Sequence, residues 1–321
     1  MQPSSAPAPA RVVRVVIGPE EAGQRLDNYL FKKLKGVPKT RIYRICRDGE
    51  VRVNGRRIEP AYRLVEGDEL RIPPVRLAER PDKTPVRVVK PLLDRVIYRD
   101  DSLLIIDKPA GMAVHGGSGV SQGVIEQLRV ELPEARFLEL AHRLDRETSG
   151  VLVLALKRAA LVELHRMLRE GEMRKRYLAL ATGHWRDPVR NVRLALKKYV
   201  TGEGERRVAA QQDGQAAHTI FRLVGHYPGF SLLEAELKTG RTHQIRVHLA
   251  ALKHPIAGDD KYGDFELNKR LKSQGLKRMF LHAAALEFKH PLTGKPLKLE
   301  APLPDDLQGF LNSLKTESRI G

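Results

Sequence analysis

The stretch AHRLDRETSGVLVLAL, residues 141–156, places one carboxylate, Asp145, between Arg143 and Arg146 at the lip of an apolar run. Burial drives an aspartate towards its neutral form, whereas a nearby guanidinium favours the anion. The pattern can therefore keep a carboxylate charged where water is scarce, ready to act as nucleophile or general base. The same arrangement also serves as an ordinary ion pair, and residue chemistry alone leaves both readings open. Two further segments have a similar form, a polar cluster at a strand end or helix start where a rigid element can aim side chains into a cleft. One is RKRYLAL, in which Tyr177 offers a flat ring and a hydroxyl or, equally, a buried core side chain. The other is TGRTHQIRVHLA, residues 239–250. His142 beside the aspartate is given no role.

Other chemistries lack their patterns. There is no GxxxxGK[ST] phosphate loop, no strand-linked GxGxxG and no HExxH. GMAVHGGSGVSQG, residues 111–123, matches neither nucleotide fingerprint and reads as a loop, beside a cleft or on plain surface. GVSQG lacks the spacing of a nucleophile elbow. His243 and His248 are five apart and share a helix face poorly, so no metal is expected. Cys46 is the single cysteine, which excludes an intrachain disulfide and a cysteine metal cluster, and it sits on the apolar side of a helix as a core residue.

The elements that would hold these residues follow from periodicity. Residues 1–18 read as a flexible tail with a short strand in RVVRVVI, 11–17. Leu26, Tyr29, Leu30 and Leu34 mark one face of a helix closed by Gly36, and KTRIYRICRDG forms a second with Ile42, Ile45 and Cys46 inward. Asn54-Gly55 in VRVNGRRI predicts a hairpin, and AYRLVEGDELRI adds a strand. Lys39, Arg41, Arg44, Arg47, Arg56 and Arg57 fall on one helix face and the hairpin, a patch suited to phosphates. The polar, proline-punctuated residues 76–91 read as a linker.

Beyond it, residues 92–321 form a second domain. RVIY, LLIID, GVLVLAL, RYLALATG, FSLLEAELK, AALEFKH and PLKLEAP read as strands, the last two as a hairpin. VIEQLRVEL, AALVELHRMLRE (Leu161, Leu164 and Leu168 inward, Gly171 as stop) and HQIRVHLAAL read as helices. Strands meeting mostly through turns predict an α+β domain with a mixed, largely antiparallel sheet. The whole chain carries 57 Lys and Arg against 39 Asp and Glu, a net charge of +18, which favours a polyanionic partner, nucleic acid above all. No membrane anchor is read, and MQPSSAPAPARVV lacks an apolar core of signal-peptide length, so a cytoplasmic location is expected.

HRLDRETSG resembles the signature of the RluA family of pseudouridine synthases. RKRYLAL resembles that family's tyrosine motif, and TGRTHQIRVH its third motif. IIDKPAGMAVHGG and HAAALEFKHPLTG are also similar to family sequence, and residues 19–75 resemble a small basic α/β RNA-binding module of the S-four type. EAGQRLDNYL, VPKTRIYRI and ARFLELAHRLDR lie nearest the members that act on large-subunit ribosomal RNA. The resemblance implies a pseudouridine synthase fold and isomerisation of 23S rRNA uridines by a monomer without metal or other cofactor. It implies Asp145 as the catalytic carboxylate, Arg246 as its guanidinium partner and Tyr177 for stacking and C5 proton transfer. Ile245 would wall the pocket and Arg143 would fill the space of a flipped base. The alternatives are the same chemistry on another rRNA or tRNA uridine, or a non-catalytic rRNA-binding or ribosome-assembly protein.

Overall fold

A computed structural model describes residues 11–34, 36–75, 90–116, 122–202 and 204–317, and the chain divides into two compact units, Met1–Pro85 and Val86–Gly321. The tail expected over 1–10, residues 76–89 of the expected linker and residues 117–121 of the glycine-rich segment lie outside the described residues.

In the first unit the apolar spacing does what periodicity requires. Helices α1 (Leu26–Lys33) and α2 (Lys39–Arg47) bury Leu26, Leu30, Ile42, Ile45 and Cys46 together. They pack with a sheet of β1 (Val13–Val16), β2 (Arg52–Val53), β3 (Arg56–Arg57) and β4 (Glu69–Ile72), antiparallel in the order β1-β4-β2-β3. Asn54 at φ 50° and Gly55 at φ 76° supply the two positive angles that a tight turn between twisted strands needs. Lys39, Arg44, Arg47, Arg56 and Arg57 are exposed and Arg41 is half-buried, so this unit carries basic side chains outward from α2 and from β3.

The second unit runs β5 (Val96–Arg99), β6 (Leu103–Lys108), α3 (Val124–Glu131), β7 (Glu139–Leu140), β8 (Ser149–Ala155), α4 (Arg158–Glu170), β9 (Arg174–Thr182) and β10 (Val189–Val192). It continues through β11 (Leu196–Val200), β12 (Arg206–Ala210), β13 (Thr219–Tyr227), β14 (Phe230–Leu237), α5 (Gln244–Ala251), α6 (Phe265–Ser273), β15 (Leu281–Lys289), β16 (Pro296–Glu300) and α7 (Asp305–Glu317). One large sheet has the order β10-β13-β14-β9-β15-β8-β6-β5, with β16 on β15 and β7 on β8, while β11 and β12 form a separate ribbon. The β8–β15 pair is parallel and the other pairings are antiparallel, which is the mixed α+β architecture expected.

Strand β8 is buried along its whole length because both sheet faces are covered there. Leu152 and Leu154 enter one core, Val151, Val153 and Ala155 the other. Two-sided burial explains why the sequence shows an unbroken apolar run rather than alternation. Helix α4 packs into the second core. Its fully buried face is Ala160, Leu164 and Met167, with Leu161 and Leu168 half-buried at the margins, a rotation of the stripe expected from leucines alone. Gly171 at φ 75° stops it.

The parallel pair fixes the centre. Gly150 stands opposite Ala283 at φ 110°, and a Cβ there would lie 2.2 Å from the Ala283 carbonyl oxygen. No side chain fits without parting the strands. Gly150→Ala should therefore lose at least about 1–3 kcal/mol from backbone strain alone, lowering the melting temperature by roughly 5–10 °C or yielding insoluble protein. Thermal melts against the parent check this, and an unchanged melt would contradict so close an approach of β8 and β15.

Candidate active site

Asp145 sits in the tight turn that leads into β8, closed by the Thr148 amide donating to the Asp145 carbonyl at 3.1 Å. The turn is fastened from behind. Lys108, fully buried at the end of β6, donates from Nζ to the carbonyls of Pro109 and Met112 at 2.8 Å and of Arg146 at 3.1 Å. Burial pushes this lysine down to about 7, against the pull of Glu147 and Asp145, and three carbonyls replace the water its ammonium has lost. Gly111 and Arg146 close the clamp, the Gly111 amide reaching the Arg146 carbonyl and Arg146 Nε the Gly111 carbonyl, each at 2.9 Å. The near end of the glycine-rich segment thus braces the aspartate turn.

Arg246 comes from α5. Its Nη1 donates to Asp145 Oδ2 at 3.1 Å, while Nε and Nη2 each reach a separate oxygen of Asp259 at 2.8 Å. Asp259 is fully buried, and the amides of Lys261 and Tyr262 also donate to it at 2.9 and 3.1 Å. Its loop is set by Gly258, at φ 77°, where a Cβ would lie 2.3 Å from the Arg278 carbonyl oxygen. Asn268 of α6 helps, its side-chain amide bonding the Asp259 carbonyl at 2.9 Å. Burial opposes the Arg246 charge, but the hydrogen bonds and charge of Asp259, then Asp145, raise its pKa above the ordinary value. Asp259 is held below the usual carboxylate range by Arg246 despite its own burial.

Asp145 and Arg246 border a cavity of about 120 Å³. Tyr177 of β9 and Leu281 of β15 line it together with residues 143–145 and 148 on one side and 240–246 on the other. The pocket is open on one side, so a base can enter it from solvent. Tyr177 is 8% exposed, and burial, then the Asp145 charge, raises its hydroxyl pKa well above the ordinary value, so it stays protonated. Ile245 is buried in the wall, and Arg143, exposed, reaches the lining from the solvent side.

The structure thus brings Asp145, Arg143, Tyr177, Ile245 and Arg246 around one cavity. Lys39, Arg41, Arg44, Arg47, Arg56 and Arg57 belong to the first unit. His142 braces the fold, accepting the Val153 amide on Nε2 at 3.1 Å, and burial lowers it to about 4. His248 faces the Leu194 carbonyl at 3.1 Å. Residue reasoning missed Asp259, Lys108 and His243. Asp259 had a faint signal, a Gly-Asp-Asp turn after an apolar segment. His243 carries a backbone signal invisible in sequence: at φ 53° it is left-handed, a conformation that costs a non-glycine residue about 1 kcal/mol or more. Its Nε2 lies 3.7 Å from Asp145 Oδ1.

Residues 102–251 match the RNA pseudouridylate synthase family model, and residues 24–70 the S4 domain. The chain is 53% identical over 306 residues to ribosomal large subunit pseudouridine synthase C of Escherichia coli O157:H7, covering 94% of this chain and 96% of that one. It is 50% identical over 309 residues to the protein of the same name from Yersinia pestis, covering 95% and 97%. Among solved structures, human RNA pseudouridylate synthase domain containing 4 superposes with a TM-score of 0.58 at 25% identity, covering 70% of this chain and 94% of that one. Human RNA pseudouridylate synthase domain containing 1 does so at 0.55 and 26%, covering 71% and 95%. With motifs, fold and a guanidinium-held aspartate in one chain, this protein belongs to the RNA pseudouridine synthase family.

Proposed function

We propose that the protein converts specific uridines of 23S ribosomal RNA to pseudouridine, acting as a cytoplasmic monomer with no cofactor. The reading rests on the Asp145–Arg246 contact at a cavity that Tyr177 also lines, in a chain about half identical to large-subunit synthases. Among the described residues no helix is long and apolar enough to cross a membrane.

The reaction breaks the N1–C1′ bond, turns the uracil, forms C5–C1′ and moves one proton from C5 to N1. It is an isomerisation and consumes nothing. Asp145 as an anion attacks C1′, takes the C2′ proton, or adds at C6, and each route needs the charged carboxylate. Arg246 gives it a single hydrogen bond on Oδ2 and spends its other edge on Asp259. Asp145 is therefore oriented without being fully neutralised, and Oδ1 keeps lone pairs for the substrate. Tyr177 supplies a face for uracil, and its hydroxyl, held protonated, can move the C5 proton only as a relay, accepting it on oxygen while its own proton passes on towards the N1 that must gain one.

A uridine in folded RNA must leave its stack to expose C1′, at a cost of a few kcal/mol. Arg143 at the cavity mouth is suited to the vacated position. The basic side chains of α2 and β3 would grip phosphates elsewhere on the RNA, adding affinity without sequence information.

Incubating the protein with unmodified 23S rRNA transcript and mapping pseudouridines tests the function directly; a transcript left unmodified would refute it. Asp145→Asn should abolish product while RNA binding survives, and Arg246→Ala should slow single turnover by about 10²–10³-fold. Tyr177→Phe keeps the ring, so binding should hold while product formation slows by roughly 10²-fold. Replacing Arg44 and Arg47 together by Ala should flatten the slope of log K against log salt by roughly 2 with kcat unchanged. An unaltered slope would remove those two arginines from the interface.

A further inference from the structure

His243 enters none of the steps above, yet its ring, like the Arg246 guanidinium, stands against the catalytic carboxylate. Arg246 Nη1 occupies Asp145 Oδ2 at 3.1 Å; His243 Nε2 faces Oδ1 at 3.7 Å. The opposite ring nitrogen, Nδ1, is 2.8 Å from the Tyr262 hydroxyl, which itself receives the Val208 amide at 3.1 Å. We propose that His243 is a positioning residue for Asp145, presenting an Nε2–H to Oδ1 in a tautomer selected by the Tyr262 hydroxyl. The inference rests on the pseudouridine synthase reading and names a part of its machinery.

Three observations carry it. The Tyr262 oxygen already accepts the Val208 N–H, so its single proton is best satisfied on Nδ1, which leaves the imidazole proton on Nε2. The other end of the ring makes the same choice, because an Nε2 lone pair aimed at a carboxylate would be repelled. The backbone agrees as well: residue 243 takes its left-handed conformation at the mouth of α5, a departure of the kind that persists where surrounding structure enforces a side-chain position.

The surroundings hold the ring still. It meets Tyr262 edge to face, with centroids 5.5 Å apart, and the Tyr262 ring in turn lies 5.1 Å from the Arg246 guanidinium. Around His243 stand Asp145, Asp259, Arg246 and Lys261; burial lowers its pKa, Asp145 draws it up, and the two cations draw it down, which favours the neutral ring. A separation of 3.7 Å is longer than a hydrogen bond, and such contacts commonly tighten only when substrate displaces solvent. With a donor facing each oxygen, the plane of the carboxylate is set as the contact closes around the sugar. Because Val208 lies in β12, the same hydroxyl also ties the β11–β12 ribbon to this arrangement.

The test joins nitrogen NMR of histidine-labelled protein with single-turnover kinetics on the rRNA transcript, using His243→Gln to assign the signal. The parent should show an Nε2–H neutral ring at His243, and Tyr262→Phe a mixture of tautomers. His243→Ala should slow the chemical step on the order of 10- to 100-fold with RNA affinity unchanged. His243→Gln, whose amide N–H can stand in for Nε2–H, should recover most of that loss. An Nδ1–H ring in the parent, an alanine variant as fast as the parent, or a glutamine variant no faster than alanine would each overturn the proposal. The NMR result does not depend on turnover, so a protein that forms no pseudouridine would fail the functional reading while the tautomer remained readable.

Discussion

Arg246 carries one positive charge and has two carboxylates to satisfy. Asp259, fully buried and braced by two backbone amides, takes the bidentate edge, and Asp145 takes a single N–H. The asymmetry matters more than the pairing. A bidentate grip on Asp145 would set the full guanidinium charge against it and blunt the anion. A guanidinium without Asp259 would be free to swing and would carry its own desolvation penalty. Locked by the inert partner, it orients the reactive one.

That division of labour dictates what the scaffold must supply. Asp145 lies before β8, Arg246 after β14 and Asp259 before α6, so three distant segments have to meet to fractions of an ångström. The strand order β14-β9-β15-β8 brings them over a floor made by Tyr177 and Leu281. Both glycines that permit the approach bring backbone against backbone: Gly150 against Ala283, and Gly258 against Arg278. Each holds the chain adjoining one carboxylate, so close packing and charge placement are a single constraint.

The parts of this arrangement legible in sequence are those whose signal is local. Helices α1, α2 and α5, the Asn54-Gly55 turn and β8 announce themselves by period, turn chemistry or an unbroken apolar run. Strand β13 does not: Arg222 faces an ion-pair ladder with Glu234 and Glu236, and its register shifts between Leu223 and Gly225, which breaks the alternation. Strands β10 and β11 are short and mostly exposed, leaving little apolar pattern to find, and β12 buries Val208 between half-buried neighbours. Helix α7 carries a local signal too, since Leu307, Phe310, Leu311 and Leu314 recur at helical spacing and are buried. In the site, Asp145, Tyr177 and Arg246 were reached through motif resemblance. Asp259 and His243 act through contacts made only in the folded chain.

The same distinction separates reactive from supporting groups. Tyr177 and Asp145 line the cavity, so their surroundings set orientation but leave a proton or a lone pair for the substrate. Asp259 and Lys108 are saturated: the first by a guanidinium and two amides, the second by three carbonyls. A saturated buried charge has little left to offer a substrate, and its removal would expose partners whose desolvation is no longer offset. Burial with full satisfaction therefore marks the framework, and burial with one lone pair or proton to spare marks the chemistry. By that criterion the reactive surface of the cavity narrows to Asp145 and the Tyr177 hydroxyl, which line the same pocket.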